Sequence, residues 1–189
     1  MDNAHRVVSS ESEELILVDD NDREGGYLSK AACHDGDGIL HRAFSVFLFD
    51  PKGRLLLQQR AHNKRLWPGF WSNTCCSHPR RGESLEIATE RRLTEELNVV
   101  ATMEYVYQFM YQAQYHDLGS EHELCHVYVG RIASPVAPNH HEIAEIRYAS
   151  VAEIDADLER YAERFTPWFR MEWQALKGEH AELLSRYAM

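Results

Sequence analysis

Gly82-Glu83-Ser84-Leu85-Glu86-Ile87-Ala88-Thr89-Glu90-Arg91-Arg92-Leu93-Thr94-Glu95-Glu96-Leu97 is the stretch on which the fold turns. Ser84 is a good helix N-cap, because a serine hydroxyl accepts from a free backbone N–H of the first turn. The residues that follow predict a helix over 84–97. On it, Arg91 with Glu95 and Arg92 with Glu96 are spaced to pair along one face. The arginine-first order is the less favourable one, and two acids fall in the last turn, where the helix dipole is negative. The penalty is roughly 0.2–0.5 kcal/mol per pair. A helix shaped for stability alone would reverse the charges. Ion pairing is one reading of these residues and a functional task is the other.

On either side the pattern is mainly that of strands. Leu15-Ile16-Leu17-Val18 is a short apolar run closed by Asp19-Asp20-Asn21-Asp22. Ile39 to Phe49 is β-rich, Asp50-Pro51-Lys52-Gly53 reads as a hairpin turn, and Arg54 to Gln59 returns. Phe70 to Cys76 is expected as another strand, Val99–Tyr115 and Glu121–Ile132 as a pair, and Ile143–Tyr148 as one more. Glu153–Glu163 and Trp168–Tyr187 read as closing helices. Strands before and after a central helix predict an α/β (α+β) fold, a mixed sheet flanked by helices. A single domain over 14–189 is expected, with 1–13 as a flexible tail.

The formal net charge is −10, so an overall basic footprint for nucleic acid is missing. An acidic chain that binds an anion must concentrate its few cations or use a metal ion. The first fourteen residues lack the apolar core of a signal peptide, and the apolar stretch from Ala43 to Phe49 is far short of the ~20 residues that span a bilayer. A cytoplasmic protein with no membrane partner is expected. Cys33, Cys75, Cys76 and Cys125 then read as reduced thiols.

Three groups carry possible chemistry. In Trp71-Ser72-Asn73-Thr74-Cys75-Cys76-Ser77-His78-Pro79, Cys76 and His78 share a face if the chain is extended. The alternative is a buried thiol beside a surface histidine. In Glu121-His122-Glu123-Leu124-Cys125-His126, the two acids point one way and His122 and His126 the other. Paired carboxylates repel unless a cation or a shared proton relieves them, although an exposed acidic edge gives the same pattern. His34 and His41 form the third group, and their spacing means little alone. Several His and Glu together would suit Zn²⁺ or Mn²⁺.

Gly82-Glu83-Ser84, Ala88, Arg91-Arg92-Leu93 and Glu95-Glu96-Leu97 resemble a degenerate Nudix box. Glu83 takes the first glutamate and Arg91 the arginine. Ser77 stands at the first glycine, Asn98 replaces a late glycine, and Arg92 stands where a hydrolase has a metal-binding glutamate. Together with Leu40-His41-Arg42-Ala43-Phe44, the run from Trp67 to Pro79, Glu121-x-Glu123 and Phe165-Thr166-Pro167-Trp168, the chain resembles the type 1 isopentenyl-diphosphate isomerases from about Leu15 to Met171.

That resemblance implies a Nudix-like fold and the conversion of isopentenyl diphosphate to dimethylallyl diphosphate through a tertiary carbocation, in isoprenoid biosynthesis. It implies a divalent metal (Mn²⁺, Zn²⁺ or Mg²⁺) on His34, His41, His78, Glu121 and Glu123. A second ion, Mg²⁺, would join the substrate diphosphate to Glu96 and to the carbonyl of the catalytic cysteine. Lys30, Arg60, Lys64, Ser77 and Arg92 match the diphosphate contacts. Cys76 and Glu123 match the proton-transfer pair, Trp168 the aromatic face for the cation, and Tyr111 a tyrosine that contacts the catalytic carboxylate. The spacing to His78 selects Cys76 over Cys75. A monomer or weak homodimer is expected. Two rivals are a Nudix hydrolase, which Arg92 disfavours by removing a metal ligand, and a non-catalytic metal-binding module, which leaves Cys76, Trp168 and the basic residues unexplained.

Overall fold

A computed structural model of the chain describes residues 6–188. Its strands are β1 (Glu14–Val18), β2 (Glu24–Ser29), β3 (His41–Phe49), β4 (Leu55–Arg60), β5 (Trp71–Ser72), β6 (Cys75–Ser77), β7 (Ala101–Tyr115), β8 (Gly119–Ile132) and β9 (Ile143–Ala149). Its helices are α1 (Lys30–His34), α2 (Leu85–Leu97), α3 (Val151–Tyr161), α4 (Pro167–Lys177) and α5 (Ala181–Tyr187).

Strand β3 is the hub. It runs parallel to β8 from His41↔Glu123 to Phe49↔Arg131, and antiparallel to β6 through Ser45↔Cys76. It also touches β1 and β4. Every residue of β3 except Arg42 is buried, as a strand covered on both faces must be. One face packs against α3, α4 and α5 through Phe47, Phe169 and Trp173, whose rings stack at centroid separations of 6.0 and 6.1 Å. The other face packs against α2 through Phe44, Val46, Leu48, Ala88, Leu93 and Leu97. The sheet is therefore a wall between two apolar layers.

Helix α2 starts at Ser84, whose hydroxyl accepts from the Ile87 N–H at 3.2 Å. It ends at Asn98 in the left-handed region (φ 50°), whose N–H reaches the Thr94 carbonyl at 3.1 Å. Its buried face carries Arg92 and Glu96 beside Ala88, Leu93 and Leu97. Two buried charges on that face are the feature that apolar periodicity alone does not account for.

Several expectations are corrected. Phe70–Cys76 is two short strands, because Asn73 and Thr74 cross from β4 to β3. There Asn73 Nδ2 donates to the carbonyls of Val46 (3.2 Å) and Cys75 (2.8 Å), and the Thr74 hydroxyl donates to Leu56 (2.6 Å). These side chains satisfy backbone groups that the diverging strands leave free. Trp168–Tyr187 is two helices, broken at Gly178. Strand β2 and helix α1 were not anticipated. Residues 6–13 make contacts with the rest of the chain. Arg80 and Arg92 donate to the Val8 carbonyl at 3.0 and 3.3 Å, Ser9 Oγ donates to Glu142 at 2.9 Å, and Asn139 donates to the Arg6 carbonyl at 2.8 Å. Residues 1–5 of the expected tail lie outside the described residues.

Gly119 opens β8 with φ 144°, and a Cβ there would stand 2.2 Å from the His34 carbonyl oxygen. No side chain fits between the end of α1 and this strand. Gly119→Ala should lower the unfolding midpoint and displace His34. A reduced stoichiometry of bound divalent metal, measured by elemental analysis, would register that displacement. Unchanged stability and metal uptake would mean that the contact has no such role.

Candidate active site and metal centre

His34 ends α1, His41 opens β3, His78 follows β6, and Glu121 and Glu123 lie on β8. One potential ligand atom from each of the five lies within 4.8 Å of every other. The imidazole centroids of His34, His41 and His78 are 4.8–5.3 Å apart. Nδ1–H of His34 donates to the Lys30 carbonyl (2.6 Å) and that of His41 to the Ile39 carbonyl (2.7 Å). Each ring thereby turns its Nε2 inward, the outer-shell arrangement common for metal-ligating histidines. His41 Nε2 is buried without a hydrogen-bond partner and sits 3.8 Å from Glu123 Oε1. Glu121 Oε2 lies 2.7 Å from His34 Nε2 but lacks hydrogen-bond geometry. Orphaned inward-facing donor atoms around one point fit a divalent cation. His122 faces the Gly38 carbonyl at 3.3 Å and His126 faces Asp22 at 3.1 Å, both away from the cluster.

Glu123 links this cluster to a cleft. Its Oε1 contacts His78 Nε2 at 2.7 Å, and its Oε2 accepts from the Tyr111 hydroxyl at 2.6 Å. Burial pushes its carboxyl well up, and the neighbouring Glu121 adds to the shift. Burial also pushes Glu121 up, but His34, His78 and His41 outweigh it and hold that carboxyl well down. The pair is split into a carboxylate and a proton-retaining acid, and a cation between them would remove the split.

The cleft is lined by Lys30, His34, Arg60, Lys64, Cys76, Ser77, His78, Arg92, Glu96, Tyr111, Glu121, Glu123, Glu142 and Trp168. All the sequence-predicted residues are there except His41, which lies behind them, fully buried. Cys75 and Cys76 diverge as neighbours on a strand do. Cys75 is buried in the layer against α2, and Cys76 faces the cleft. Burial pushes the Cys76 thiol up to about 12, so it keeps its proton at neutral pH.

Trp168 sits at the start of α4, where Thr166-Pro167 begins the helix. Its Nε1–H donates to Ser72 Oγ at 3.0 Å, and the indole packs edge-on against Trp67 with centroids 5.2 Å apart. The Arg60 guanidinium lies 5.3 Å from the Trp168 ring centroid. Arg60 also donates to the carbonyls of Leu66 (2.8 Å) and Trp67 (3.1 Å). Trp67 itself has φ 48°, a conformation that a bulky residue adopts only when its surroundings impose it.

Both ion pairs read from the helix exist, and each arginine does more. Arg91 makes a fork to Glu83 at 2.8 Å, and it bonds Glu95 at 3.0 Å and the His78 carbonyl at 3.3 Å. Arg92 pairs with Glu96 and reaches Glu142 at 3.0 Å. Glu96 also accepts from Gln58 at 3.3 Å.

Two buried acids escaped the sequence reading. Glu142 precedes β9 in a polar turn with nothing to mark it. Glu172 lies one helical turn after Trp168, among Trp168, Phe169, Trp173 and Leu176, and an acid at core spacing was a usable signal. Its Oε1 lies 3.6 Å from Cys125 Sγ and its Oε2 has no partner.

The profile of the NUDIX domain family matches residues 39–169. Among solved structures, a Deinococcus radiodurans protein, DR0079, superposes with a TM-score of 0.66 at 21% identity, covering 94% of this chain and all of that one. A MutT protein from Methanosarcina mazei superposes with a TM-score of 0.60 at 18% identity, covering 75% and 95%. The sheet with its box helix is thus a Nudix fold. Closer in sequence is isopentenyl-diphosphate Delta-isomerase 1 of Photorhabdus laumondii, 40% identical over 91% of this chain and 99% of the relative. The enzymes called isopentenyl-diphosphate Delta-isomerase from Halorhodospira halophila and Burkholderia multivorans are 44% and 45% identical, over 84% and 83% of this chain and 91% and 89% of the relatives. The chain belongs to the isopentenyl-diphosphate Delta-isomerase family. Among the described residues, no helix is long and apolar enough to cross a membrane.

Glu172 gives a pH test. Burial pushes its carboxyl from 4.5 up to about 8, so the folded protein holds a proton that the unfolded chain releases. The folded state is favoured most below pH ~4.5, and that advantage is lost as pH rises toward about 8. Glu172→Gln should therefore raise the unfolding midpoint at pH 7.5 relative to the parent, and by more than at pH 5. Equal shifts at both pH values in thermal melts would show that Glu172 titrates normally.

Proposed function

We infer that this protein is an enzyme that converts isopentenyl diphosphate to dimethylallyl diphosphate, a step of isoprenoid biosynthesis. The observation that carries the reading is the presence of a protonated thiol, a buried glutamate side chain and an indole in one cleft, beside a group of basic side chains. An unactivated alkene is a very weak base, so an acid must be held against it with water kept out. Cys76 gives a proton to the terminal alkene carbon. Glu123, oriented by Tyr111 and His78, removes one from the carbon nearer the diphosphate. Between these events the tertiary cation rests against Trp168, where a desolvated aromatic face is worth about 2 kcal/mol or more. Trp168 offers no nucleophile to trap the cation.

Lys30, Arg60, Lys64, Ser77 and Arg92 bind the diphosphate. Glu96 would hold the magnesium that accompanies it, in keeping with the one or two carboxylates that Mg²⁺ commonly uses. His34, His41, His78, Glu121 and Glu123 would hold a resident divalent cation, which when bound neutralises the two acids and fixes their positions. Zn²⁺ and Mn²⁺ suit that mixed donor set, and Mg²⁺ is the third candidate. The reading extends to one domain over 14–189, acting in the cytoplasm as a monomer or weak homodimer on a small-molecule substrate, without nucleic acid or membrane.

Purified protein with isopentenyl diphosphate and Mg²⁺ in deuterated water should yield dimethylallyl diphosphate with deuterium in the new methyl group, read by NMR. No inorganic phosphate should appear. Phosphate release without deuterium incorporation would move the protein to the hydrolases.

Cys76→Ala and Glu123→Gln should each lower kcat by roughly 10²-fold or more, the scale of a lost proton-transfer group. Cys75→Ala should be mild, since that side chain packs against α2. Equal losses at the two cysteines would mean that the thiol is misassigned.

A further inference from the structure

Glu142 has no role in the reaction described above, yet its carboxylate is 4% exposed in the cleft wall and engages three partners. Oε2 pairs with the Lys64 ammonium and accepts from Arg92 Nη2 at 3.0 Å. Oε1 accepts from Ser9 Oγ at 2.9 Å. The backbone is tied to the same loop: the Glu142 carbonyl accepts from the Ala61 N–H at 2.9 Å, and the Ala61 carbonyl accepts from the Lys64 N–H at 3.2 Å. Lys64 arrives from the loop after β4 and Arg92 from α2, and Glu142 is the carboxylate on which both converge.

Lys64 is also faced by Arg60, Lys30 and Glu96. Burial and the two neighbouring cations push its ammonium toward deprotonation, and Glu142 is the largest influence against that. Arg92 has Glu95 and Glu96 as further partners. We propose that Glu142 is a positioning residue that holds Lys64 and Arg92 together in the cleft, so that an incoming diphosphate meets both cations already in place. Long, flexible side chains lose conformational freedom when they are ordered, and a grip assembled in advance spares the ligand that loss. The identity of the anion rests on the isomerase reading, but the arrangement of the cations does not.

The test uses the full chain and two readouts: calorimetric binding of inorganic pyrophosphate with Mg²⁺, and steady-state kinetics with isopentenyl diphosphate. For Glu142→Gln, the pyrophosphate Kd and the KM should rise about tenfold or more, while kcat stays within about threefold. Glu142→Asp keeps the charge but shortens the reach, and should recover part of the affinity. On a Lys64→Met background, Glu142→Gln should cost clearly less than on the parent, because one of the two cations it positions is gone. Unchanged pyrophosphate affinity in Glu142→Gln, or a fall in kcat at constant KM, would overturn the proposal. If Glu142→Gln does not fold, Glu142→Asp decides, with an affinity equal to the parent's counting against it. A parent protein that binds pyrophosphate but moves no double bond would overturn the isomerase reading and leave this inference standing. Turnover by the parent with undiminished pyrophosphate binding by Glu142→Gln would overturn this inference alone.

Discussion

The parallel pairing of β3 with β8 is the constraint on which the site depends. It sets His41 opposite Glu123, and the antiparallel pairing on the other side of β3 sets Ser45 opposite Cys76. The thiol and the carboxylate are thus placed by one ruler, two strand spacings (about 9–10 Å) across the sheet and four residues (about 13 Å) along β3. Strand side chains alternate with period two, so a slip of one residue in either pairing would turn its functional side chain to the opposite face. The two apolar layers forbid that slip. Phe47 and Phe44 point into different cores, and a slip would force each ring into a layer packed around other side chains.

The second organising principle is how an acidic chain gathers cations in one cleft. With a net charge of −10, long-range attraction for a diphosphate is absent. The cations in the cleft are instead individually restrained. Arg60 is forked onto two carbonyls, and Lys64 and Arg92 share Glu142. Buried ion pairs of this kind contribute little net stability, because desolvation offsets much of the attraction. Their value lies in geometry. The reversed charge order on α2 follows from the same need: Arg92 and Glu96 occupy its buried face, where the cleft and not the helix dipole sets the local field.

Legibility in the sequence followed the strength of local signals. The long paired strands β7 and β8, the hub strand and α2 with its serine cap were read close to their true bounds, because periodicity and capping are local physics. Strand β2, Glu-Gly-Gly-Tyr-Leu-Ser, has two glycines and no buried face, so it carries no alternation to detect. Helix α1 has five residues and shows less than two turns of pattern. The break at Asn73 and Thr74 depends on carbonyls from Val46 and Leu56, which no local reading supplies. Within the site, Cys76, Glu123 and the histidines were reached through a motif resemblance, since their spacing alone left bland readings open. Glu142 has a purely tertiary role, fixed by partners that are distant in sequence.

The β3–β8 ladder also bears on how the molecule is made. His41 and Glu123 are about eighty residues apart in the chain, and a parallel ladder between such distant segments cannot form until the loop between them has closed. Contacts of that separation go with slow folding, on the millisecond-to-second scale of β-rich domains. His78 arrives from the middle of that loop and His34 from before it. The five-residue cluster is therefore incomplete in every partly folded form that lacks this ladder. A metal ion that needed all five would bind late and reward only the finished topology, so its occupancy would report on folding.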